Sequence, residues 1–185
     1  LVVYRRRARC TCGQFFVKKK SGKLRWIIDG RGPSQLFREP PGVALCTSES
    51  FARLEADRAL GGDVDELPFA SLDVQDCFHR CRLPDWLVPF FGLSPLSASE
   101  LGIEELDGVA LEGWEKIHPC CASAPMGFSW SLYFVQHAVE NVVDSAVAGL
   151  DVATLSDRCG GIRLGDRLAK YEYVDNVGIL GRDRK

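Results

Sequence analysis

Tyr173-Val174-Asp175-Asn176 is the stretch whose reading decides the fold. An apolar run leads into it (Tyr171, Tyr173, Val174) and another leaves it (Val177, Ile179, Leu180). Asp and Asn are poor strand residues that favour turns, so the pattern predicts a β-hairpin with the acid at its tip. A carboxylate held between two buried strands is well placed to ligate a divalent cation. Four residues define little alone, and the reading depends on whether the chain also supplies a second carboxylate, a nucleotide platform and phosphate-binding cations.

The second carboxylate is Asp73. Phe69-Ala70-Ser71-Leu72 reads as a short strand that delivers it, and an aromatic, Phe78, follows five residues later. Between the two acids lies the clearest helix of the chain. Phe128, Leu132, Val135, Val139, Val142, Val143 and Ala146 recur at helical spacing over 128–148. Gln136, Glu140 and Asp144 are read as lying off that stripe, with Gly149 as the stop. Gly160-Gly161 and a short strand, Ile162-Arg163-Leu164, precede the hairpin.

Upstream, Gln14-Phe15-Phe16-Val17 and Leu24-Arg25-Trp26-Ile27-Ile28-Asp29 read as two strands around the charged turn Lys18-Lys19-Lys20-Ser21-Gly22-Lys23. Thr47-Ser48-Glu49-Ser50 opens a helix with capping residues and an early acid. That helix is expected to run to about Leu60, with Phe51, Leu54 and the stem of Arg58 on one face and Gly61-Gly62 as its end. Residues 1–9 are basic and expected to be poorly ordered. Residues 84–119, interrupted by Pro84, Pro89, Pro95, Gly102, Gly108 and Gly113, predict short elements and loops.

The chain has 185 residues, enough for one core with a smaller subdomain. No apolar run approaches the ~20 residues that span a bilayer. The N-terminus carries no signal-like apolar stretch, and the expected setting is intracellular, nuclear or cytoplasmic. The net charge of −2 hides an asymmetry. Residues 1–38 carry eleven Lys/Arg and one acid, net +10, and the remainder is net −12. A basic first third suits a polyanionic partner, although an ordinary solvated face has the same composition. Of eight cysteines, only Cys10/Cys12 and Cys120-Cys121 are close in sequence, and neither pair has partners at zinc-finger spacing. All eight are read as reduced thiols. The sole Met is Met126 and the chain opens at Leu1, so the sequence is expected to be a piece of a longer reading frame.

Taken in order, these stretches resemble the motifs of retroelement-type reverse transcriptases over roughly residues 13–181. Lys18-Lys19-Lys20, Lys23 with Arg25, and Ile28-Asp29-Gly30-Arg31 resemble the fingers hairpin. Asp73 with Phe78 is similar to motif A. Ala124-Pro125-Met126-Gly127-Phe128 is similar to motif B, where Pro-x-Gly leads into the long palm helix. Tyr173-Val174-Asp175-Asn176 resembles motif C, with Asn176 in place of the usual second Asp.

The resemblance implies an α+β polymerase palm: an antiparallel sheet carrying Asp73 and the Asp175 hairpin, backed by the helices near 48–60 and 128–148, with a projecting fingers hairpin. It implies a basic segment over 1–12, a fingers-like region over 13–68 and a palm-like region over 69–185, with no thumb after motif C. The activity implied is template-directed DNA synthesis from deoxynucleoside triphosphates on a primed RNA or DNA template. Two Mg²⁺, or Mn²⁺ in their place, would be held by Asp73 and Asp175. Asn176 would sit beside them as an acceptor or ligand without charge. Lys19, Lys20 and Arg25 would neutralise the triphosphate, and Phe78 would press on the sugar and exclude a 2′-hydroxyl. Met126 and Gly127 would seat the nascent base pair, glycine because it has no side chain. Phe128 and Trp130 read as core. Asn176 and the missing thumb leave open a non-catalytic palm that binds nucleic acid. A viral-type RNA-dependent RNA polymerase is the other alternative, which Phe78 disfavours.

Overall fold

A computed structural model describes residues 1–55, 67–165 and 167–181. Along the chain its elements are β1 (Val2–Arg5), β2 (Gln14–Lys18), β3 (Leu24–Ile28), α1 (Arg31–Ser34), α2 (Ser48–Ala52), β4 (Leu54–Glu55), β5 (Phe69–Asp73) and α3 (Cys77–Arg80). A single 3-10 turn (Val88–Phe91) is followed by β6 (Leu96–Ser97), α4 (Ala98–Leu101), β7 (Glu105–Leu106), β8 (Val109–Ala110) and β9 (Lys116–Cys121). The long helix α5 (Ser129–Ala146), β10 (Val152–Thr154), β11 (Ile162–Arg163), β12 (Leu168–Tyr173) and β13 (Asn176–Leu180) complete it. The chain forms two compact units, Leu1–Pro41 with Phe78–Leu132, and Gly42–Cys77 with Tyr133–Lys185.

In the first unit β9 is flanked by β1 and β6, both antiparallel to it. The N-terminal residues, expected to be poorly ordered, are strand instead. Val2 to Arg5 pair with Cys121 to His118. Arg6 donates to Glu115 at 2.9 Å, and the Arg9 guanidinium lies over the Phe90 ring. Part of the basic surplus is thus spent inside the unit. The predicted hairpin of β2 and β3 is present, with Gln14 opposite Ile28 and Lys18, read as part of the turn, opposite Leu24. The core of this unit gathers Leu83, Leu87, Val88, Phe91, Ile117, Cys120 and Phe128, all buried. Residues 84–119 are short elements, as the proline and glycine spacing predicts. The β7–β8 turn places Asp107 (φ 55) and Gly108 (φ 75) in the left-handed region that this tight hairpin demands.

In the second unit four strands form a sheet in the order β10-β12-β13-β5, and β4 and β11 form a separate parallel pair. β13 is antiparallel to both of its neighbours, β12 and β5, and β10 joins β12 in parallel. Side chains alternate across the sheet. Lys170 and Glu172 of β12 face α5, through Asp144 and the Gln136 amide. Tyr171 lies on the opposite face, edge-on to Phe51 of α2 and stacked with Phe69. A cluster of Cys46, Leu155, Leu164, Ala169 and Leu180 fills that side, with Leu54, Leu67 and Ile162 against it.

Two helix expectations change. α2 ends at Ala52, because Leu54–Glu55 leave it to pair in parallel with Ile162–Arg163. The Arg163–Glu55 ion pair at 2.8 Å fastens that exchange. The continuation to Leu60, with Arg58 and the Gly61-Gly62 stop, lies outside the described residues. α5 matches its predicted span, but its stripe does not: Leu132 and Val142 are exposed, whereas Gln136 is 1% exposed. All eight cysteines are free thiols. Burial pushes the Cys12 thiol up to about 12, with Cys10 and Asp29 nearby adding to it. Among the described residues, no helix is long and apolar enough to cross a membrane.

Candidate active site

β5 runs beside β13 with Asp73 opposite Asn176, Leu72 opposite Val177 and Phe69 opposite Leu180. The pairing continues one residue past the strand, where the Val74 amide donates to the Asp175 carbonyl at 2.7 Å. This register brings residues 73 and 175, a hundred positions apart in sequence, to neighbouring strand ends. Tyr173, cross-strand from Asn176, shares the face of Asp73. Asp73, Tyr173 and Asn176 are exposed, and Asp175 is half-buried.

The hairpin loop has only two residues, Val174 and Asp175, between the paired Tyr173 and Asn176. Val174 has φ 58, and Asp175 does not have a positive φ. A positive φ at the first central position alone is the pattern of a type II′ turn, where glycine is the usual occupant. A β-branched residue there stores strain on the order of 1–3 kcal/mol. Val174 is nevertheless buried, at 9% exposure. Its amide donates to Gln136 Oε1 at 2.8 Å. The Nε2 of Gln136 donates to the Glu172 carbonyl at 3.2 Å and to Glu140 at 2.9 Å. Sequence reasoning missed Gln136 because it is polar. Its spacing was the available signal: four residues after Leu132 and three before Val139, it lies within reach of the apolar stripe.

The adjoining charges are also buried. Lys170, at 4% exposure, donates to Glu172 at 2.5 Å and to Asp144 at 2.6 Å. Burial opposes the ammonium charge, but the bonds to Asp144 and Glu172 prevail and raise its pKa. Burial pushes Glu172 up, against the pull of Lys170.

Asn176 is expected to accept or ligate through its side-chain carbonyl, and the same side chain also carries an amide donor. In the structure its Nδ2 donates to Asp175 Oδ1 at 3.0 Å. The uncharged residue therefore orients the neighbouring carboxylate. Among the described residues there is no group of three or more His, Cys, Asp or Glu able to hold a metal. Two carboxylates on adjacent strand ends still fit Mg²⁺, which is commonly held by one or two acids with substrate phosphates and water completing its octahedron.

The remaining sequence-predicted residues lie in the first unit. Phe78, half-buried, is the second residue of α3. Lys19 and Lys20 occupy the β2–β3 turn, closed by Lys19 N to the Lys23 carbonyl at 2.7 Å, and Arg25 is on β3 opposite Val17. Among the described residues no ion pair neutralises Lys18, Lys19, Lys20, Lys23 or Arg25. Phe15, Phe16, Val17 and Leu24 on the same hairpin are exposed.

Met126 and Gly127 are exposed, ahead of α5. Gly127 has a packing reason to be glycine. A Cβ there would sit 2.7 Å from the Ile28 carbonyl oxygen and 3.0 Å from the Gly30 amide nitrogen. The reciprocal Cβ on Gly30 would sit 2.6 Å from Gly127 C and Phe128 N. Two glycines meet backbone to backbone, and the neighbourhood is tied down. Ser34 Oγ donates to the Gly30 carbonyl and accepts from the Ser129 amide. Trp130 Nε1 donates to the Arg38 carbonyl at 2.7 Å. Phe128 is buried edge-on to Phe37 and Phe91, as the core reading expected. Next to Gly30, Arg31 clasps Asp29 through Nε and Nη2 and holds its carboxyl down at about 2.

The fold is shared with a foamy viral protease–reverse transcriptase whose structure was solved in complex with double-stranded DNA, with a TM-score of 0.56 and 12% sequence identity. The alignment covers 96% of this chain and 27% of that one, so the chain spans about a quarter of that protein's length. At this identity the likeness is one of fold. No family model matches the sequence, and no curated protein does. The class defined here is therefore an α+β fold of antiparallel sheets and few helices, consistent with a small palm-like fragment.

Proposed function

We propose that the chain is the fingers–palm portion of a retroelement reverse transcriptase, an RNA-directed DNA polymerase acting by two-metal phosphoryl transfer. The observation that carries this reading is the β5–β13 register, which sets Asp73 beside the Asp175 turn at one open end of the sheet. The likeness in fold to a reverse transcriptase supports it. Asp73 and Asp175 would hold the Mg²⁺ ions. When bound, these ions would activate the primer 3′-hydroxyl and neutralise the leaving pyrophosphate.

The chain's own groups have distinct tasks on this reading. Asn176 orients Asp175 by donating to it. Lys19, Lys20 and Arg25 neutralise the triphosphate, the planar guanidinium by paired hydrogen bonds and the ammonium groups as point charges. Phe78 excludes the 2′-hydroxyl, which favours deoxynucleotides over the substrates of an RNA polymerase. Met126 and Gly127 lie under the nascent base pair. The partners are a primed RNA or DNA template and deoxynucleoside triphosphates.

The test is Mn²⁺-dependent binding of a deoxynucleoside triphosphate to the chain, beside Asp73→Asn and Asp175→Asn. Binding lost in both variants and weaker for the ribonucleotide supports the assignment. Binding indifferent to both aspartates, in a folded chain, refutes it. Primer–template affinity should fall steeply with salt, because phosphate contacts release counterions. A second reading, a non-catalytic palm that binds nucleic acid, is favoured by one observation: the position after Asp175 carries an amide already engaged with that carboxylate. It predicts salt-sensitive nucleic-acid binding with no dependence on Mn²⁺, Asp73 or Asp175.

A further inference from the structure

We infer that Gln136 is a positioning residue for the carboxylate turn: its buried amide holds Val174 in a backbone conformation the residue would otherwise leave, and so aims Asp175. This rests on the reading of Asp175 as a metal ligand.

Two bonds from one side chain grip the chain where it enters the turn, accepting from the Val174 amide and donating to the Glu172 carbonyl. Gln136 comes from α5, in the part that belongs to the same compact unit as the hairpin. Its third bond, to Glu140, fixes which way the amide is turned. Glu140 is held in turn by His137 Nδ1 at 2.6 Å. The oxygen of the amide therefore points at Val174 and the nitrogen at Glu172.

Apart from the two-residue loop length, which favours a primed turn, the local sequence supplies no reason for this shape. Val174 is β-branched and has φ 58, where glycine is favoured. Released from Gln136, the Val174 amide would lose its buried acceptor and the residue would relax toward negative φ. Asp175, the next residue, would rotate with it. An uncoupled structural role for Gln136 would instead lower the stability of the unit while leaving the turn geometry intact.

The distinguishing device is Val174→Gly, because glycine adopts positive φ without help. Mn²⁺ alone is titrated by calorimetry into the full chain, Gln136→Met, Val174→Gly and the double variant, with Asp175→Asn as reference. Gln136→Met should weaken Mn²⁺ binding about tenfold, the low end of the range for losing a group that orients a metal ligand. In the Val174→Gly background the same substitution should cost less than about twofold, since the turn no longer needs the clamp. An equal loss in both backgrounds, or none with Val174 present, overturns the proposal.

A metal-free measurement separates this from failure of the metal-site reading. Hydrogen exchange at the Val174 amide should quicken at least about tenfold in Gln136→Met relative to amides in the middle of α5. Unchanged exchange there overturns the positioning role whatever the metal data show. If wild type and Asp175→Asn bind Mn²⁺ alike while the exchange result holds, the metal-site reading fails and the clamp on the turn stands.

Discussion

Gly127→Ala should destabilise the first unit in the absence of any nucleic acid. The new Cβ would lie 2.7 Å from the Ile28 carbonyl oxygen, about 0.7 Å inside the 3.4 Å where ordinary contact begins. Its other close neighbour, the Gly30 amide nitrogen at 3.0 Å, is also backbone. Neither can swing aside as a flexible side chain would, and Ser34 and Trp130 restrain the segments on either side. Overpacking of this kind costs roughly 1–3 kcal/mol. Replacing glycine by alanine returns about 0.4–1 kcal/mol through the unfolded chain. The net loss is about 1–2 kcal/mol, or roughly 2–8 °C in Tm for a chain of this size.

Tryptophan fluorescence is the natural assay, because Trp26, Trp86, Trp114 and Trp130 all lie in the first unit. Gly13→Ala is the control. Its added Cβ meets only the Asp29 Cβ at 3.6 Å, an ordinary contact, so its midpoint should stay within about 0.5 kcal/mol of wild type. A Gly127→Ala chain as stable as wild type would refute the backbone-contact argument and leave base-pair seating as the reason for glycine. A destabilised one means that weaker template binding by this variant is not, by itself, a measure of contact with the base pair.

Three further outcomes follow from the second unit. Lys170→Met leaves the Glu172 side chain, 2% exposed, as a buried carboxylate without its main partner, and should cost about 3–5 kcal/mol in urea unfolding followed by circular dichroism. Pairing it with Glu172→Leu removes both charges and should bring stability back to within about 1 kcal/mol of wild type; a double variant as unstable as the single one refutes the charge argument. Because burial already raises the Glu172 pKa, the deficit of Lys170→Met should shrink as pH falls and the acid takes up its proton. Asp157 accepts from the Thr47 and Ser50 hydroxyls at 2.6 and 2.7 Å, and those bonds hold its carboxyl below the usual range. Its contribution is present above the unfolded pKa of about 3.9 and lost as pH falls through the folded value. Asp157→Asn should therefore melt below wild type at pH 7 and converge with it in acid; a pH-independent gap in thermal melts would count against the assignment.

What the sequence determined by itself were the elements set by local chemistry. Apolar runs on either side of Asp-Asn specify the β12–β13 hairpin, lysines and glycine specify the turn between β2 and β3, and the 3.6-residue period specifies α5. The order of Asp73, Gly127 and Asp175 was legible too, because it needs no knowledge of how the strands pair. Tertiary structure decided the rest, through partners distant in the chain. Asp73 comes beside the Asp175 turn only through the register of β5 on β13, which a one-residue slip would turn to the other face. α2 stops at Ala52 because residues 54–55 find a strand at 162–163. Val2–Arg5 become strand because β9 offers an unpaired edge more than a hundred residues away. Gln136 reads as lying off the apolar stripe because it is polar. It is buried because it finds hydrogen-bonding partners on the facing hairpin, as Lys170 finds Asp144 on α5 and Glu172 on its own strand, and a buried polar group is tolerable only when so paired.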